Sequence, residues 1–342
     1  MNGKNPKIQD VAAVAGVSTA TVSRALSNPD MVSQKTRDLV LDAVQKTGYR
    51  VNRAAKSLRK RQSDAILALL PDLGNPFFSQ ILSGIESVFT TSDLSLLVSD
   101  TKGIRQDSIL DYFMDMRADG MIILDGAVPR ALLSQLQDSP FGQRIVFACE
   151  WKPEFKFPSV RSDNFGGAIQ AVEHLYALGH RKIGHISGPR NNVLTKERLR
   201  GVEAAMTNLN LLFNRDFFID GGAFSLDAGA QAARSFMEMD DRPTAITCGS
   251  DLIAMGFISE ITRRGLKVPE DISVVGFDDI EIAGSFIPSL TTIRQNRTQL
   301  GVLAASYLLD QIAGRVHPPA KQVQEIDVKL IPRQSTAQLA HA

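Results

Sequence analysis

Between residues 65 and 331, short apolar runs alternate with amphipathic segments of helical period. The runs lie at 65–70, 94–98, 121–124, 145–148, 182–186, 245–248, 273–276 and 328–331. Helical spacing of apolar residues marks 79–89, 167–177, 198–209, 228–239 and 252–263. Strands that alternate with helices form βαβ units, and such units build parallel sheets. These strands are too many for one small sheet, so two α/β lobes with a cleft between them are predicted. In sheets of this kind a ligand binds beyond the carboxyl ends of the strands. No short-period repeat suggests a solenoid.

A chain of 342 residues has room for two or three compact units. Its 44% hydrophobic and 22% charged content excludes disordered, collagenous and disulfide-scaffold classes. No apolar run approaches the roughly 18 residues of a membrane span, and the first thirty residues contain no signal-peptide core. Cys149 and Cys248 are too few and too scattered for a disulfide framework or a zinc site. A soluble, cytoplasmic protein without membrane contact is expected.

The net charge of +1 hides an asymmetry: residues 1–62 hold twelve Lys and Arg against four Asp. A small basic block ahead of an acidic body is the footprint of a nucleic-acid-binding head, although a solvated basic tail would carry the same charge. Periodicity separates the two. Ile8, Val11, Ala12 and Ala15 repeat at helical spacing until Gly16 interrupts them. Ser18 then suits the N-cap of a second helix with Val22, Ala25 and Leu26 on one face. Two short helices around a glycine turn make a helix-turn-helix. Thr19, Ala20 and Arg24 point away from the apolar face of the second helix. A third helix is predicted over about 33–46, capped by Ser33, with Val40, Leu41 and Val44 in the core and Gly48 as its stop. Such a head can place its second helix in the major groove.

Residues 50–63, RVNRAAKSLRKRQS, are rich in Arg and Lys and carry only Val51 and Leu58 as larger apolar residues. A flexible basic linker is one reading. The other is a short helix capped by Asn52, with Ala55 and Leu58 on one side, suited to wedging into a minor groove.

Enzyme signatures are weak. There is no GxGxxG opening a helix, no GxxxxGK[ST], no GxSxG and no HExxH. His180 and His185, in GHRKIGHIS, read as structural or exposed. Asp278 and Asp279 follow the run SVVGF and so fall at the end of a strand, where a carboxylate can accept hydrogen bonds from sugar hydroxyls. A sugar-active enzyme lacks its catalytic constellation here. A pure sugar-binding module would need an export signal and no head. No enzymatic activity, cofactor or metal is expected.

Taken in order, several stretches resemble the lactose/galactose-repressor (LacI/GalR) family of bacterial transcription regulators. They are IQDVAAVAGVSTATVSRALSNPDMVSQKTR (8–37), GYRVNRAAKSL (48–58), NPFFSQILSGIE (75–86), DGMIIL (119–124), LGHRKIGHISGP (178–189), GSDLIAMG (249–256), DISVVGFDD (271–279) and PSLTTIRQ (288–295). The resemblance implies a helix-turn-helix head at 1–50, a hinge helix at 51–62, and a two-lobed, periplasmic-binding-protein-like core at 63–342 with parallel sheets. It places the first lobe at about 63–162 and 294–325, and the second at about 163–290 and 326–335. It also implies base contacts from Thr19, Ala20 and Arg24, and phosphate contacts from Ser18, Thr21, Ser23, Ser33 and Thr36. Asn52, Ala55 and Leu58 would act at the hinge. Asn75, Phe77, Phe78, Asp163, Arg198, Phe224, Ser250 and Asp278 would line an effector pocket. Ser250 stands where many sugar-responsive relatives have Asn, and Glu150 and Trp151 stand at variable positions without an assigned role.

The function so implied is a sequence-specific repressor of double-stranded operator DNA, released by a small carbohydrate inducer bound between the lobes. The Ser250 environment, STATVSRAL, NPD and FPSVRSDN are similar to the cytidine-repressor branch, which keeps a nucleoside effector, or a corepressor, open. No leucine-heptad helix follows Pro332, so a homodimer on a near-palindromic operator is expected.

Overall fold

The computed structural model describes residues 6–49, 62–90, 92, 94–101, 106–115, 117–315 and 323–339. The chain divides at Ser63 and Asp64 into two compact units.

The first unit is built from α1 (Ile8–Ala15), α2 (Thr19–Ser27) and α3 (Gln34–Thr47). Gly16 ends α1 in the left-handed region, at φ 67°, a conformation that costs glycine nothing. Two residues later Ser18 starts α2, its Oγ accepting the Thr21 N–H at 3.1 Å. Val11, Ala12, Val22, Ala25, Val40 and Ala43 close the core. The expectation for α3 is corrected at one position: Leu41 is 47% exposed, and Ala43 is buried in its place. Val40, Ala43 and Val44 follow the three- and four-residue steps of one helix face, whereas Leu41 lies a quarter turn away.

The second unit holds two six-stranded sheets. The first comprises β1 (Ala65–Leu70), β2 (Ser95–Asp100), β3 (Gly120–Ile123), β4 (Ile145–Ala148), β5 (Ser159–Ser162) and β11 (Val323–Ile326). Its order is β2-β1-β3-β4-β5-β11, parallel throughout. The second comprises β6 (Ile183–Ser187), β7 (Phe218–Asp220), β8 (Ala245–Cys248), β9 (Ser273–Asp278), β10 (Thr291–Arg294) and β12 (Lys329–Ile331). Its order is β7-β6-β8-β9-β10-β12, with only β12 antiparallel. Each sheet therefore reverses strand order beside its first strand, and the crevice at that switch point is where doubly wound sheets bind ligands.

Helices cover both faces, which explains why the central strands are apolar without alternation. On β1, Ile66, Ala68 and Leu70 pack toward α4 (Phe77–Phe89) and α11 (Arg297–Ile312). Leu67 and Leu69 pack on the opposite face with α5 (Gln106–Met114) and α6 (Arg130–Asp138). The second sheet is sandwiched between α7 (Asn164–Ala177) with α8 (Val193–Asn208) and α9 (Leu226–Met237) with α10 (Asp251–Arg263). Helices α4 and α11 touch backbone to backbone. A Cβ on Gly84 would meet the Thr298 carbonyl, and one on Gly301 would meet that of Ile81.

Four short strands were not anticipated. β5 and β11 read SVRS and VQEI, β7 is three residues at a sheet edge, and β10 reads TTIR. Each has too few apolar residues to stand out as a run. The chain crosses between sheets after β5, β10 and β11. Arg294 thus belongs to the second sheet and Ile326 to the first, each the reverse of the lobe limits that the resemblance implied.

Candidate functional site

In the head, α2 buries Val22 and Ala25 and presents Thr19, Ala20 and Arg24 to solvent. Ser18 and Ser33 are exposed at the starts of α2 and α3, where each hydroxyl caps its helix. Ser33 Oγ accepts the Thr36 N–H at 3.3 Å. Thr21 and Thr36 are half-buried and bond the capping hydroxyls at 2.9 Å, and Ser23 is half-buried. Two helix N-termini with short hydroxyl side chains are suited to phosphate oxygens, and an exposed Arg between them is suited to a guanine edge. Asn52, Ala55 and Leu58 lie outside the described residues.

In the body, the carboxyl ends of the second sheet converge on Arg198. This guanidinium is 3% exposed. Nε donates to Asn164 Oδ1 at 2.9 Å, Nη1 donates to the Gly249 carbonyl, and Nη2 stands 3.6 Å from Asp278 Oδ1. The Phe277 ring lies 3.8 Å and the Phe224 ring 5.8 Å from the guanidinium carbon. Asp278 ends β9 with φ at 126°, a conformation that strains any residue but glycine. Gln295, just past β10, donates to Asp278 Oδ1 at 2.7 Å. Burial pushes the Asp278 carboxyl up to about 6, against the pull of Arg198 and Arg297. Burial also raises Asp251, aided by its neighbour Asp278. Asp251 accepts the Ile280 N–H at 2.9 Å and the Thr292 hydroxyl.

The structure brings Arg198, Phe224 and Asp278 together with Gly249, next to Ser250. Ser250 itself is committed as the N-cap of α10, accepting from the Ile253 N–H at 3.3 Å. Asp163 is likewise committed as the N-cap of α7; its neighbour Asn164 makes the contact with Arg198. From the first lobe, Asn75 accepts the Phe77 N–H at 3.0 Å. Phe77 and Phe78 meet edge to face, with ring centroids 5.2 Å apart. Both rings are buried, so they are core packing more than an open platform.

Several further polar groups carry no role in the sequence reading. Asp125 follows β3 and accepts the Ala127 N–H at 2.6 Å and the Thr101 hydroxyl. Glu150, two residues past β4, is buried and accepts the Gly126 N–H at 2.7 Å. Burial lifts its carboxyl from 4.5 to about 7, opposed by a hydrogen bond from Asn192 of the second lobe. Thr195 lies one helical turn before Arg198, with its buried hydroxyl lacking a partner among the described residues. The signal for Asp125 and Glu150 was available in their position just beyond apolar strands. Gln295 and Arg297 were hidden because β10 and α11 were not assigned. His180 and His185 are structural. His180 is bonded through both ring nitrogens, and His185 is held at about 4 by burial.

Glu150 has a thermodynamic consequence. Between 4.5 and about 7 the folded chain holds a proton on Glu150 that the unfolded chain releases. Stability therefore falls as pH rises through that window, by on the order of 3 kcal/mol. Asp278 acts in the same direction over the range from 3.8 to about 6. Glu150→Gln is expected to flatten the loss of thermal stability between about pH 5 and about pH 8. An unchanged slope in the variant would assign the proton to another group.

Among the described residues no helix is long and apolar enough to cross a membrane, and no cluster of metal-ligating side chains occurs.

Comparisons with known proteins place these two units in context. The family described as "Bacterial regulatory proteins, lacI family" matches residues 7–52. The "Periplasmic binding protein-like domain" matches residues 172–336. The chain is 37% identical to the HTH-type transcriptional repressor CytR of Escherichia coli (strain K12), over 97% of this chain and 96% of that one. It is 33% identical to the HTH-type transcriptional repressor PurR of Photobacterium profundum, over 97% and 99%. Among solved structures, a lac repressor dimer bound to operator and the anti-inducer ONPF matches with a TM-score of 0.85 and 31% identity, over 98% of this chain and 100% of that one. A complex of the transcriptional regulator CelR with cellobiose matches at 0.73 and 28% identity, over 97% and 100%.

Proposed function

Because the chain belongs to the lacI family of bacterial regulatory proteins, we propose that it represses transcription by binding an operator whose affinity is set by a small polyhydroxylated effector. It is a DNA-binding regulator and not an enzyme. The observation that carries the effector reading is the buried pair Arg198 and Asp278 at the carboxyl ends of the second sheet. A carboxylate accepts from adjacent hydroxyls and a guanidinium donates to ring and hydroxyl oxygens. The half-buried Phe224 beside them offers an apolar face for a sugar ring. Asn75, Phe77 and Phe78 would close the pocket from the first lobe, and Asp163 and Ser250 would hold its walls as helix caps.

On DNA, Arg24, Thr19 and Ala20 would face base edges. Ser18, Thr21, Ser23, Ser33 and Thr36 would anchor the head to phosphates. The domain limits we propose are a head ending at about residue 50, a hinge over 51–62 in which Asn52, Ala55 and Leu58 act, and the two-lobed body. A homodimer on a near-palindromic site follows from the family's symmetry, and the exposed Ile282 and Ile287 supply apolar surface for it. Effector binding would favour one of two dimer states, and that differential affinity is the coupling. Release from DNA is the direction we propose, with action in the bacterial cytoplasm, on the nucleoid when bound.

A nucleoside is the second reading, favoured by Glu150. A buried carboxyl that titrates near neutrality presents a donor and an acceptor to a base edge, which a free sugar does not need. A thermal-shift screen against pentoses, hexoses, polyols, sugar phosphates, nucleosides and purine bases tests the proposal. A ligand at about a hundredfold excess over its Kd stabilises by roughly 2.7 kcal/mol. A selective hit among sugars or nucleosides names the class; no hit from the whole panel counts against a polyol pocket.

A further inference from the structure

A polar cavity of about 470 Å³ opens between the lobes where α11 begins. Gln80 and Arg297 line it from the first lobe, and Asp279, Glu281, Arg294 and Arg333 from the second. Its charges are unevenly matched. Asp279 is fully engaged: Oδ2 takes Arg294 Nε at 2.6 Å, and Oδ1 takes Arg333 Nη2 at 2.7 Å. Arg297 is 3% exposed, and only its Nη2 is bonded, to the Asp279 carbonyl at 2.8 Å. Its Nε and Nη1 are buried without a hydrogen-bond partner among the described residues. Glu281 Oε2 comes no nearer than 3.8 Å to Nη1, on a side chain that is 57% exposed. The other oxygen, Oε1, receives the Gln80 amide.

A buried guanidinium with unused donors is costly to keep; the nearby Asp278 carboxyl offsets part of its charge but bonds neither free nitrogen. Its place as the first residue of the sixteen-residue α11 adds the positive end of a helix to the same spot. Glu281, exposed and too distant for a hydrogen bond, is a weak counter-charge that a better one can displace.

We propose that this cavity, which adjoins the Arg198–Asp278 pocket through Gln295, is a binding site for a small oxyanion of the phosphate type, held on the free donors of Arg297 in competition with Glu281. Gln80, once released by Glu281, is a second donor, since an amide can turn its NH₂ to the anion. Arg294 and Arg333 remain paired with Asp279 and contribute positive potential. The two lining carboxylates oppose the anion, and three guanidinium groups outweigh them. Glu281 belongs to the second lobe and both of its partners to the first, so the anion loosens a contact between lobes. That last consequence rests on the reading that lobe arrangement sets operator affinity; the binding itself does not.

Isothermal titration of the full chain with inorganic phosphate, at constant ionic strength in chloride and without DNA or effector, tests the site. One saturable phosphate site per chain is expected. Arg297→Gln should weaken it by at least roughly tenfold, the loss of a charge-assisted contact. Glu281→Gln, at an exposed position, should tighten it by roughly threefold or more, because the competing charge is gone. Heat no different from that of chloride overturns the proposal, as does equal affinity in the Arg297→Gln chain. Should that variant fail to fold, an unchanged affinity in Glu281→Gln overturns it. Glucose 6-phosphate, run beside glucose, identifies the source. Tighter binding than inorganic phosphate, with glucose silent at this site, assigns a phosphorylated metabolite; equal binding assigns the free ion. A polyol that binds the other pocket leaves each of these outcomes readable.

Discussion

Asp278→Asn is expected to weaken effector binding on the order of a hundredfold, because it removes the carboxylate beside Arg198 that the proposed ligand would use as a charged acceptor. Two charge-assisted hydrogen bonds at roughly 1.5–3 kcal/mol each would be degraded together. The substitution keeps shape, and the strain of the backbone at φ 126° is borne by Asp and Asn alike. Gln295 can still donate to its side-chain oxygen, so the loss is read as chemistry and not as collapse. Calorimetric titration of both chains with the ligand found by screening measures it. An affinity within a factor of about three of the parent would remove Asp278 from the pocket. The raised Asp278 pKa sets a sign as well: effector that needs the carboxylate should bind more tightly above about 6 than below it.

Arg24→Ala should weaken operator binding by on the order of 1–3 kcal/mol, or roughly five- to 150-fold, and relax discrimination at one base pair. Arg24 is exposed on the face of α2 opposite Val22 and Ala25, so its removal leaves the head's core intact. A phosphate-anchoring role would give a different pattern, a uniform loss across sequences with a shallower salt dependence. Binding measured over single-base operator variants separates the two. Unchanged discrimination at every position would take Arg24 out of base reading.

Much of this architecture is written in short-range pattern. Ala65–Leu70 and Ser273–Asp278 are buried on both faces, so they stand out as unbroken apolar runs. Gly16 and Ser18 mark the turn of the head through a left-handed φ and a side-chain cap, both local effects. Where the pattern is silent, the structure depends on distant partners. β5 and β11 carry too few apolar residues to stand out, and they become strands through pairing, β5 with β4 and β11 with β5 across about a hundred and sixty intervening residues. Leu41 has the right chemistry for a core but the wrong angular position on α3.

The site divides along the same line. Asp278 and Arg198 announced themselves through motif and strand-end position. That Asp163 and Ser250 serve as helix caps follows from three-residue spacing to the N–H groups they accept. The place of Glu150 past an apolar run was legible, but its raised carboxyl needed the fold, because it comes from burial, with Asn192 of the other lobe beside it. Arg297 needed it more: nothing local says that its nitrogens are enclosed and unpartnered.

A homodimer of this chain on a two-fold symmetric DNA site, with its grip changed by a small ligand in the cleft, is open to one direct test. That test is selection of random duplexes by the full-length protein, followed by a binding titration on the selected site with and without the ligand found by thermal shift. Enrichment of a near-palindrome and a rise in operator Kd of at least tenfold at saturating ligand are expected. Enrichment of no symmetric sequence, or one Kd that ligand leaves unmoved, would contradict it.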